Sequence, residues 1–379
     1  MSLAASFRPL SGALPMRRGL SLPALTFAAS TALGLFPATF VMSSATASSL
    51  LTPEAINAAP LDAIPPTYEP PSSQVDPLTT SSTFKVGFAG PSTEFTPPHI
   101  GGTPSPSIVR LQVLLDRAGA SPGVIDGLDG GNLRHAIAAF ETMRGLPVDG
   151  KVGPQVIGAI DADKQVIGSY VVTAEDLSTV VGAIPKDYAK MAEMKYLGYA
   201  RASEALAERF HMDEDFLKSL NPSATFAEGE TISVADLGSG KRGKAVRLEV
   251  DKAEGQVRAY AEDRSLLAAY PATIGSEETP SPSGTYTVRA VVSNPTYTYN
   301  PKLNFKQGNN DKVLTLPPGP NGPVGTVWIE LSEPSFGIHG TPEPARIDKT
   351  GSHGCVRLTN WDAQGLGKLL SRGVPVQFL

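Results

Sequence analysis

The chain has 379 residues, of which 41% are hydrophobic and 18% charged, and this is enough apolar sequence for two or three domains with their own cores. The 32 Lys and Arg residues and 37 Asp and Glu residues give a formal net charge of −5, which argues against nucleic acid as a partner. A single cysteine excludes an intramolecular disulfide, so in an exported chain that thiol is reactive, paired between chains, or inert and buried.

Residues 1–47 have the features of an export signal. Arg17 and Arg18 precede an apolar stretch over residues 20–42, and an A-x-A cleavage sequence ends at Ala47. The alternative is an uncleaved signal that anchors the protein in the membrane, because the apolar run approaches spanning length. Both alternatives place the rest of the chain outside the cytoplasm, in the periplasm or cell envelope.

Residues 48–106 are rich in Pro, Ser and Thr and show no sustained period of 2 or 3.6. This composition predicts a disordered or extended linker. A linker of this kind allows an anchored or wall-bound protein to reach its substrate.

Residues 107–161 have the pattern of a small helical domain. Apolar residues from Ile108 to Leu115 recur at helical spacing, and Asn132 is a suitable N-cap for a second helix that ends near Gly145. The series LQxxL, IDG, AIxxF and GLPVDGKVG resembles the three-helix peptidoglycan-binding domain, which implies that glycan strands of the wall are a partner.

Residues 170–238 predict two helices, over residues 202–210 and 213–220, followed by a short strand over residues 231–234. This order resembles a sugar-binding LysM module whose first strand is eroded. A plain helical spacer is the alternative, and the pattern leaves both open.

Residues 245–379 change character and predict a β-rich domain. The run from Val246 to Val250 alternates as a half-buried strand should, and a Pro-rich turn leads into a strand over residues 286–292. Residues 294–325 lack a regular period, and a loop of this length inside a domain is typically functional, so we expect a lid or wall beside the site. Asn360 is the expected cap of a final helix that runs to about Leu370.

The stretch 336–360 contains the only cysteine, Cys355, and two of the five histidines, His339 and His353. A free thiol has a pKa of about 8.5, so a histidine that accepts its proton raises the reactive thiolate fraction. Gly354 permits close approach of the backbone to a substrate, and the N–H groups of residues 353–355 could converge on an oxyanion.

These residues resemble the signature of the L,D-transpeptidases of the YkuD type, which cross-link peptidoglycan. The signature is a His, a gap of about fifteen residues, and then [Ser/Thr]-His-Gly-Cys, which here is His339 followed by Ser352 to Cys355. The family often has Asn two places after the cysteine, whereas this chain has Arg357, and that difference concerns the choice of acceptor. The resemblance covers residues 245–379 and implies an α+β multidomain protein with a mixed-sheet catalytic domain.

The resemblance also implies roles for individual residues. Cys355 is the nucleophile, His339 the general base, and the Gly340 carbonyl the group that fixes the histidine tautomer, while His353 shares the base role or holds the substrate. The candidate substrate-binding residues are Arg357, Ser352, Tyr299 and Trp328. Arg357 could instead form a surface ion pair, and Ser352 could be only a turn residue. A zinc site at His339, His353 and Cys355 is the competing chemistry, but the His-x-Cys spacing is too tight for a usual ligand pair, so we expect no metal.

The resulting hypothesis is an exported cysteine transpeptidase that needs no cofactor. It takes a donor tetrapeptide stem, forms a thioester on Cys355, and transfers it to the amine of a second stem, which gives a 3→3 cross-link. The same scaffold would be an L,D-carboxypeptidase with water as acceptor, or a lipoprotein-anchoring enzyme with a protein lysine as acceptor. A catalytically inactive wall-binding protein is the alternative from another class.

Overall fold

The computed structural model describes residues 51–65 and 103–379, except for residues 241, 277–278, 303–304, 350 and 353. The predicted export signal therefore lies outside the described residues. Among the helices that the structure does describe, none combines the length and the hydrophobicity needed to cross a membrane.

The N-terminal part is helical. Its α-helices are α1 (Pro53–Ala58), α2 (Pro106–Ala118), α3 (Gly131–Arg144) and α4 (Pro154–Ala159). Helices α2 and α3 each end at a glycine in the left-handed conformation, Gly119 and Gly145, where a side chain would be strained. The three predicted helices of residues 107–161 are therefore present.

The next part contains two strands as well as helices. Its elements are β1 (Ile167–Val171), α5 (Ala174–Leu177), α6 (Tyr188–Ala192), α7 (Ala202–Arg209), α8 (Glu214–Leu220) and β2 (Thr231–Ala235). Strands β1 and β2 form an antiparallel pair in which Ile167 lies opposite Ala235. The first strand is intact, so the expectation that it is eroded is wrong.

The C-terminal part is built on one mixed sheet. Its strands are β3 (Arg247–Asp251), β4 (Gln256–Tyr260), β5 (Leu266–Pro271), β6 (Thr273–Ile274), β7 (Gly284–Ser293), β10 (Val327–Leu331), β11 (Gly337–His339), β12 (Val356–Arg357) and β13 (Pro375–Phe378). A separate hairpin pairs β8 (Tyr297–Tyr299) with β9 (Leu314–Leu316), and helix α9 is Asn360–Leu369. The order of the large sheet is β5-β4-β3-β13-β7-β10-β11-β12-β6.

Strand alternation separates a core face from a site face at one end of this sheet. Ile329, Ile338, Val356 and Ile274 form one cross-strand row, in which the first three are fully or almost fully buried. Because side chains point alternately to the two faces, the residues between them point away from this core. That opposite face carries the predicted catalytic residues.

The helical part and the sheet are in direct contact. Ala120 forms a parallel β-bridge with Ala269 on β5, and the N–H groups of Ser121 and Ala269 donate to Ala269 and Gly119 respectively. Strand β5 is an edge of the sheet, and unpaired edges favour aggregation, so this contact protects it.

Two local expectations are wrong, and a third segment has structure that its sequence does not indicate. The predicted linker contains α1 and a 3₁₀ turn at Leu61–Ala63, whose Ile56, Leu61 and Ile64 are buried against the helical core. The predicted caps Asn132 and Asn360 lie inside their helices, whose N-caps are Gly130 and Thr359. The loop of residues 294–325 contains the β8–β9 hairpin, whose three-residue strands are too short to give a periodic signal.

Candidate active site

Three neighbouring strands bring the predicted catalytic residues to one face of the sheet. Trp328 lies opposite His339, and His339 lies opposite Arg357, so their side chains share a face. Cys355 directly precedes β12, two residues before Arg357. The sixteen-residue separation between the histidine and the cysteine is thus closed by the parallel pairing of β11 with β12.

His339 is buried, with 4% of its surface exposed, and its ring is oriented from both sides. Its Nδ1 lies 2.7 Å from the carbonyl oxygen of Gly340, and because a carbonyl only accepts, Nδ1 carries the hydrogen. The Nε2 atom is then the nitrogen that can accept a proton. The ring also stacks on Trp328, with centroids 5.6 Å apart and planes inclined by 21°.

Burial keeps this imidazole neutral. It lowers the pKa of His339 to about 4, mainly because the charged form loses its hydration, and the positive charge of Arg357 lowers that pKa further. The hydrogen bond to Gly340 acts in the opposite direction but is outweighed. At neutral pH the ring is therefore unprotonated at Nε2, and the lone pair of that nitrogen can accept a proton.

Cys355 is a free thiol that is neither fully exposed nor fully buried. Its Sγ lies 3.8 Å from the backbone oxygen of Ser335, a long contact for a sulfur donor. Burial raises the pKa of the thiol, although the backbone N–H of Gly337 and the positive charge of Arg357 lower it. The sulfur thus meets a hydrogen-bond donor and a cation, both of which favour a thiolate once it forms.

The loop that presents the cysteine is held by hydroxyl groups. Ser352 Oγ donates to the Cys355 carbonyl at 2.5 Å, and Ser281 Oγ donates to the Gly354 carbonyl at 2.6 Å. Gly354 has φ +98°, and a Cβ there would lie 2.9 Å from the ring of Phe336. Both observations require glycine at this position. The structure places Ser352, a predicted substrate-binding residue, as a buried support of the loop.

Arg357 extends from β12 beside the thiol. Its guanidinium makes a 3.4 Å contact with the Gly351 carbonyl, and among the described residues no carboxylate is paired with it. The surface ion pair that was the alternative is therefore not found within that part of the chain. A half-buried cation next to the nucleophile is suited to a carboxylate on the substrate.

Tyr297 on β8 is a site residue that sequence reasoning missed. Desolvation and the nearby Cys355 thiol both raise the pKa of its hydroxyl, whereas Arg357 lowers that pKa. The β8–β9 hairpin thus carries a residue that interacts electrostatically with the cysteine, and its role as a lid stays a prediction. The sequence held one signal for this, the tyrosine pair in the aperiodic loop, but nothing to indicate which of the two faces the thiol.

Tyr299 does not support its predicted substrate contact. It is fully buried in a small core with Met191, Leu197 and Leu316, and its hydroxyl accepts a hydrogen bond of 2.9 Å from the Gln307 N–H. Tyr297 and Tyr299 are two residues apart on β8, so their side chains point to the same face. Tyr299 is fully buried on that face, whereas Tyr297 is only partly buried. His353 lies outside the described residues, so its role and that of its N–H remain predictions.

Asn360 lies directly behind the catalytic histidine. Its Oδ1 accepts from the Thr326 N–H at 3.1 Å, and its Nδ2 donates to the Pro320 carbonyl at 3.2 Å and to the Glu208 carboxyl group at 3.0 Å. A Cβ on Gly340 would lie 2.2 Å from Asn360 Oδ1. Sequence reasoning treated Asn360 only as a helix cap, because its partners are remote in the chain.

The described residues include two of the three candidate zinc ligands, His339 and Cys355, but not His353. There, no group of three or more His, Cys, Asp and Glu side chains is arranged to hold a metal ion. The hydrogen bond of His339 to a carbonyl, rather than to a carboxylate, fits a neutral base.

Comparisons with known proteins agree with the motifs. Residues 245–377 match the family model of the L,D-transpeptidase catalytic domain, and residues 104–160 match that of a putative peptidoglycan binding domain. Both resemblances predicted from the sequence are thereby confirmed, as is the β-rich mixed-sheet fold of the catalytic part.

Individual relatives are similar over about a third of the chain. The putative L,D-transpeptidase YkuD of Bacillus licheniformis is 30% identical over 120 residues, 32% of this chain and 57% of the relative. The probable L,D-transpeptidase YbiS of Escherichia coli is 28% identical over 136 residues, 35% of this chain and 44% of the relative. The chain thus spans about half the length of these curated relatives. An L,D-transpeptidase structure from Mycobacterium smegmatis aligns with 40% of this chain and 74% of its own at 17% identity and a TM-score of 0.30.

Proposed function

We propose that this chain, whose residues 245–377 belong to the YkuD family of L,D-transpeptidase catalytic domains, is an exported enzyme that forms 3→3 cross-links in peptidoglycan with Cys355 as its nucleophile. One observation carries the proposal. His339 on β11 pairs with Arg357 on β12, Cys355 directly precedes β12, and the Nδ1 of His339 is held by the Gly340 carbonyl at 2.7 Å, so that Nε2 is the proposed proton acceptor.

The first half-reaction forms a thioester. His339 Nε2 takes the thiol proton, and the sulfur attacks the carbonyl carbon of the third residue of a tetrapeptide stem. The carbon–nitrogen bond to the fourth residue, D-alanine, then breaks, and the imidazolium returns its proton to that leaving amine. The backbone N–H groups around Gly354 are the proposed donors to the oxyanion.

The second half-reaction transfers the acyl group. The side-chain amine of a second stem attacks the thioester carbonyl and loses a proton to His339, and the thiolate leaves and is protonated again. Water in place of the amine gives hydrolysis. Arg357 is proposed to bind a stem-peptide carboxylate, and Trp328 to hold the plane of His339 by stacking.

The N-terminal parts are proposed to bring the enzyme to the wall. Residues 104–160 match a putative peptidoglycan binding domain, which implies glycan strands as a partner. The antiparallel strands β1 and β2 enclose helices α5 to α8, of which α7 and α8 correspond to the two predicted helices, and we propose a LysM-like role for this part. Sugar binding by this second module remains a prediction.

The test compares wild type with Cys355→Ala on a purified tetrapeptide stem, with and without an acceptor amine. We expect the substitution to lower turnover by about 10³-fold or more, because no other group in the chain supplies the nucleophile. Cross-linked dimer in the presence of the amine identifies transfer, whereas free tripeptide alone identifies hydrolysis. Equal, near-zero turnover by both proteins would favour the inactive wall-binding alternative.

A further inference from the structure

The β8–β9 hairpin beside Cys355 is held in place by a segment from the N-terminal half of the chain. This segment, residues 184–199, is named here the latch; it leaves and rejoins the β1–β2 module at a closed base. There the Tyr199 N–H donates to the Thr179 carbonyl at 2.9 Å, and the Val181 N–H donates to the Tyr199 carbonyl at 2.8 Å. The latch contains helix α6.

Hydrogen bonds join the latch both to the segment after β9, through backbone groups, and to the connection between β8 and β9, through the side chain of Gln307. The Leu197 N–H donates to the Pro318 carbonyl at 2.8 Å, and the Asn321 N–H donates to the Leu197 carbonyl at 3.0 Å. The approach is so close that a Cβ on Gly319, which has φ +145°, would lie 2.2 Å from Leu197 O. On the other side, Gln307 donates to the Lys186 carbonyl at 2.8 Å and accepts from the Tyr188 N–H at 3.2 Å.

Tyr188 of the latch packs its ring against aromatic residues of the β8–β9 hairpin and its connection. Its ring centroid lies 5.2 Å from that of Tyr299, 6.2 Å from that of Tyr297 and 6.1 Å from that of Phe305, in each case edge-to-face. Aromatic pairs in this geometry stabilise an assembly beyond the burial of their surface. Met191 and Leu197 of the latch are buried in the same small core.

Tyr188 also lies close to the chemistry. Burial raises the hydroxyl pKa of both Tyr188 and Tyr297, the positive charge of Arg357 partly offsets that rise, and the Cys355 thiol raises the pKa of Tyr297 further. The latch therefore packs on the hairpin whose Tyr297 interacts electrostatically with the proposed nucleophile. The latch supplies Met191 and Leu197 to the small core around Tyr299, and the hairpin supplies Tyr299 and Leu316.

We propose that the latch is a part of the acyl-donor site, in which Tyr188 is the specificity-determining residue that fixes Tyr297 against the bound stem peptide and excludes water from the thioester. This inference deepens the proposed function and rests on it. It places a substrate-site residue about 170 positions before the nucleophile, inside the half of the chain otherwise assigned to wall binding. Excluding water matters because hydrolysis competes with transfer at the acyl-enzyme.

The first experiment uses the only cysteine as a reporter that does not depend on turnover. The full chain is alkylated with iodoacetamide and with a bulky maleimide, as wild type, Tyr188→Ala, Tyr188→Phe and Gln307→Ala. We expect Tyr188→Ala to raise the maleimide rate about fivefold and Gln307→Ala to raise it less, because both loosen the hairpin. Tyr188→Phe keeps the ring and is expected to match wild type.

The second experiment measures tetrapeptide kinetics with an acceptor amine. Tyr188→Ala is expected to raise KM about tenfold, more than it lowers kcat, and to increase the hydrolysed share of product. Tyr286→Ala is the matched control, since Tyr286 packs edge-to-face on Phe378, with centroids 5.8 Å apart, among strands remote from β12. Its alkylation and KM should equal those of wild type.

The outcomes separate this inference from the proposed function. If Tyr188→Ala and Gln307→Ala both alkylate and turn over like wild type, the latch proposal is overturned while the enzyme stands. If wild type does not turn over but Tyr188→Ala still alkylates faster, the proposed function fails and the structural coupling stands. Should Tyr188→Ala fail to fold, Gln307→Ala carries the same comparison, because it removes the two hydrogen bonds to the latch and the one from Asn310 Nδ2 but leaves the ring of Tyr188 in place.

Discussion

Burial acts in opposite directions on the two partners of the catalytic pair. It raises the pKa of the Cys355 thiol and lowers the pKa of His339 to about 4, because each group loses hydration of its charged form. The resting pair is therefore a thiol and a neutral imidazole, rather than a thiolate and an imidazolium. Proton transfer then accompanies substrate attack, and the Gly337 N–H and the Arg357 charge stabilise the sulfur as its charge develops.

This resting state can be tested through the pH dependence of alkylation. The iodoacetamide rate of the free protein should stay low through neutral pH and rise with a midpoint above the value of about 8.5 for an ordinary cysteine. His339→Gln should leave this profile nearly unchanged while abolishing turnover, since the imidazole matters only during attack. A fast rate that is independent of pH between 5 and 8 would instead indicate a preformed ion pair.

Several side chains near the site bond residues that are distant in the sequence, instead of capping the helix in which they lie. Sequence reasoning identified the His339 and Cys355 motifs, because residue type and spacing carry that information directly. It predicted Asn132 and Asn360 as N-caps, a position that asparagine favours. In the structure both side chains instead bond residues distant in the sequence: Asn132 Nδ2 donates to the Ile347 carbonyl, and Asn360 Nδ2 donates to the Glu208 carboxyl group. Tyr188 and Tyr297 were not predicted as partners, because nothing local indicates that α6 meets β8.

The recruitment of Asn360 predicts a split between stability and catalysis at the start of α9. Asn360→Ala leaves the Thr326 N–H and the Glu208 carboxyl group without this partner and opens space behind Gly340. We expect it to cost about 2–4 kcal/mol of unfolding free energy. We also expect a lower kcat, because the Gly340 carbonyl no longer has a fixed position for His339.

The neighbouring Thr359→Ala is the control for that substitution. Thr359 Oγ1 accepts from the Asp362 N–H at 3.1 Å as the N-cap, so its loss should cost about 1 kcal/mol and leave kcat unaltered. Urea unfolding and steady-state kinetics measure both effects. Equal kcat values for the two variants would show that Asn360 has no part in positioning the histidine.

At the scale of the molecule, the predicted domains are not independent units. One hydrophobic core contains residues of α1, α2, α3, α7, α8, β1 and β2 together with Leu266 and Ala269 of the catalytic sheet. The boundaries at 107–161, 170–238 and 245–379 follow the motifs, whereas the core crosses them. Motif order and composition could predict the modules but not the contacts between them. Residues at such a contact, for example Ala120 against Ala269, are small and apolar, and the sequence does not distinguish them from residues inside a single core.

Glu208 shows how this docking affects the whole molecule. It lies on α7, is buried, and contacts Asn360 of α9 and, at 3.2 Å, the hydroxyl of Tyr199. Burial raises its pKa to about 8, against the partly opposing effects of Asn360 and Tyr199, while Glu204 raises it and His211 lowers it. The carboxyl group is thus protonated in the folded chain at pH 6 and ionised in the unfolded chain.

The raised pKa of Glu208 determines whether the folded state becomes more or less stable as the pH rises. Between about pH 4.5 and 8 the folded state holds a proton that the unfolded state has released, so this group lowers stability as pH rises through that window. Glu208→Gln keeps an oxygen acceptor for Asn360 Nδ2 but cannot ionise. The melting temperature of wild type should therefore fall more than that of Glu208→Gln between pH 5 and pH 8, and the difference between the two proteins cancels the contribution of titrating groups that do not interact with Glu208. Parallel curves would mean that Glu208 ionises in the fold with an ordinary pKa, and that its burial between the two halves carries no cost at neutral pH.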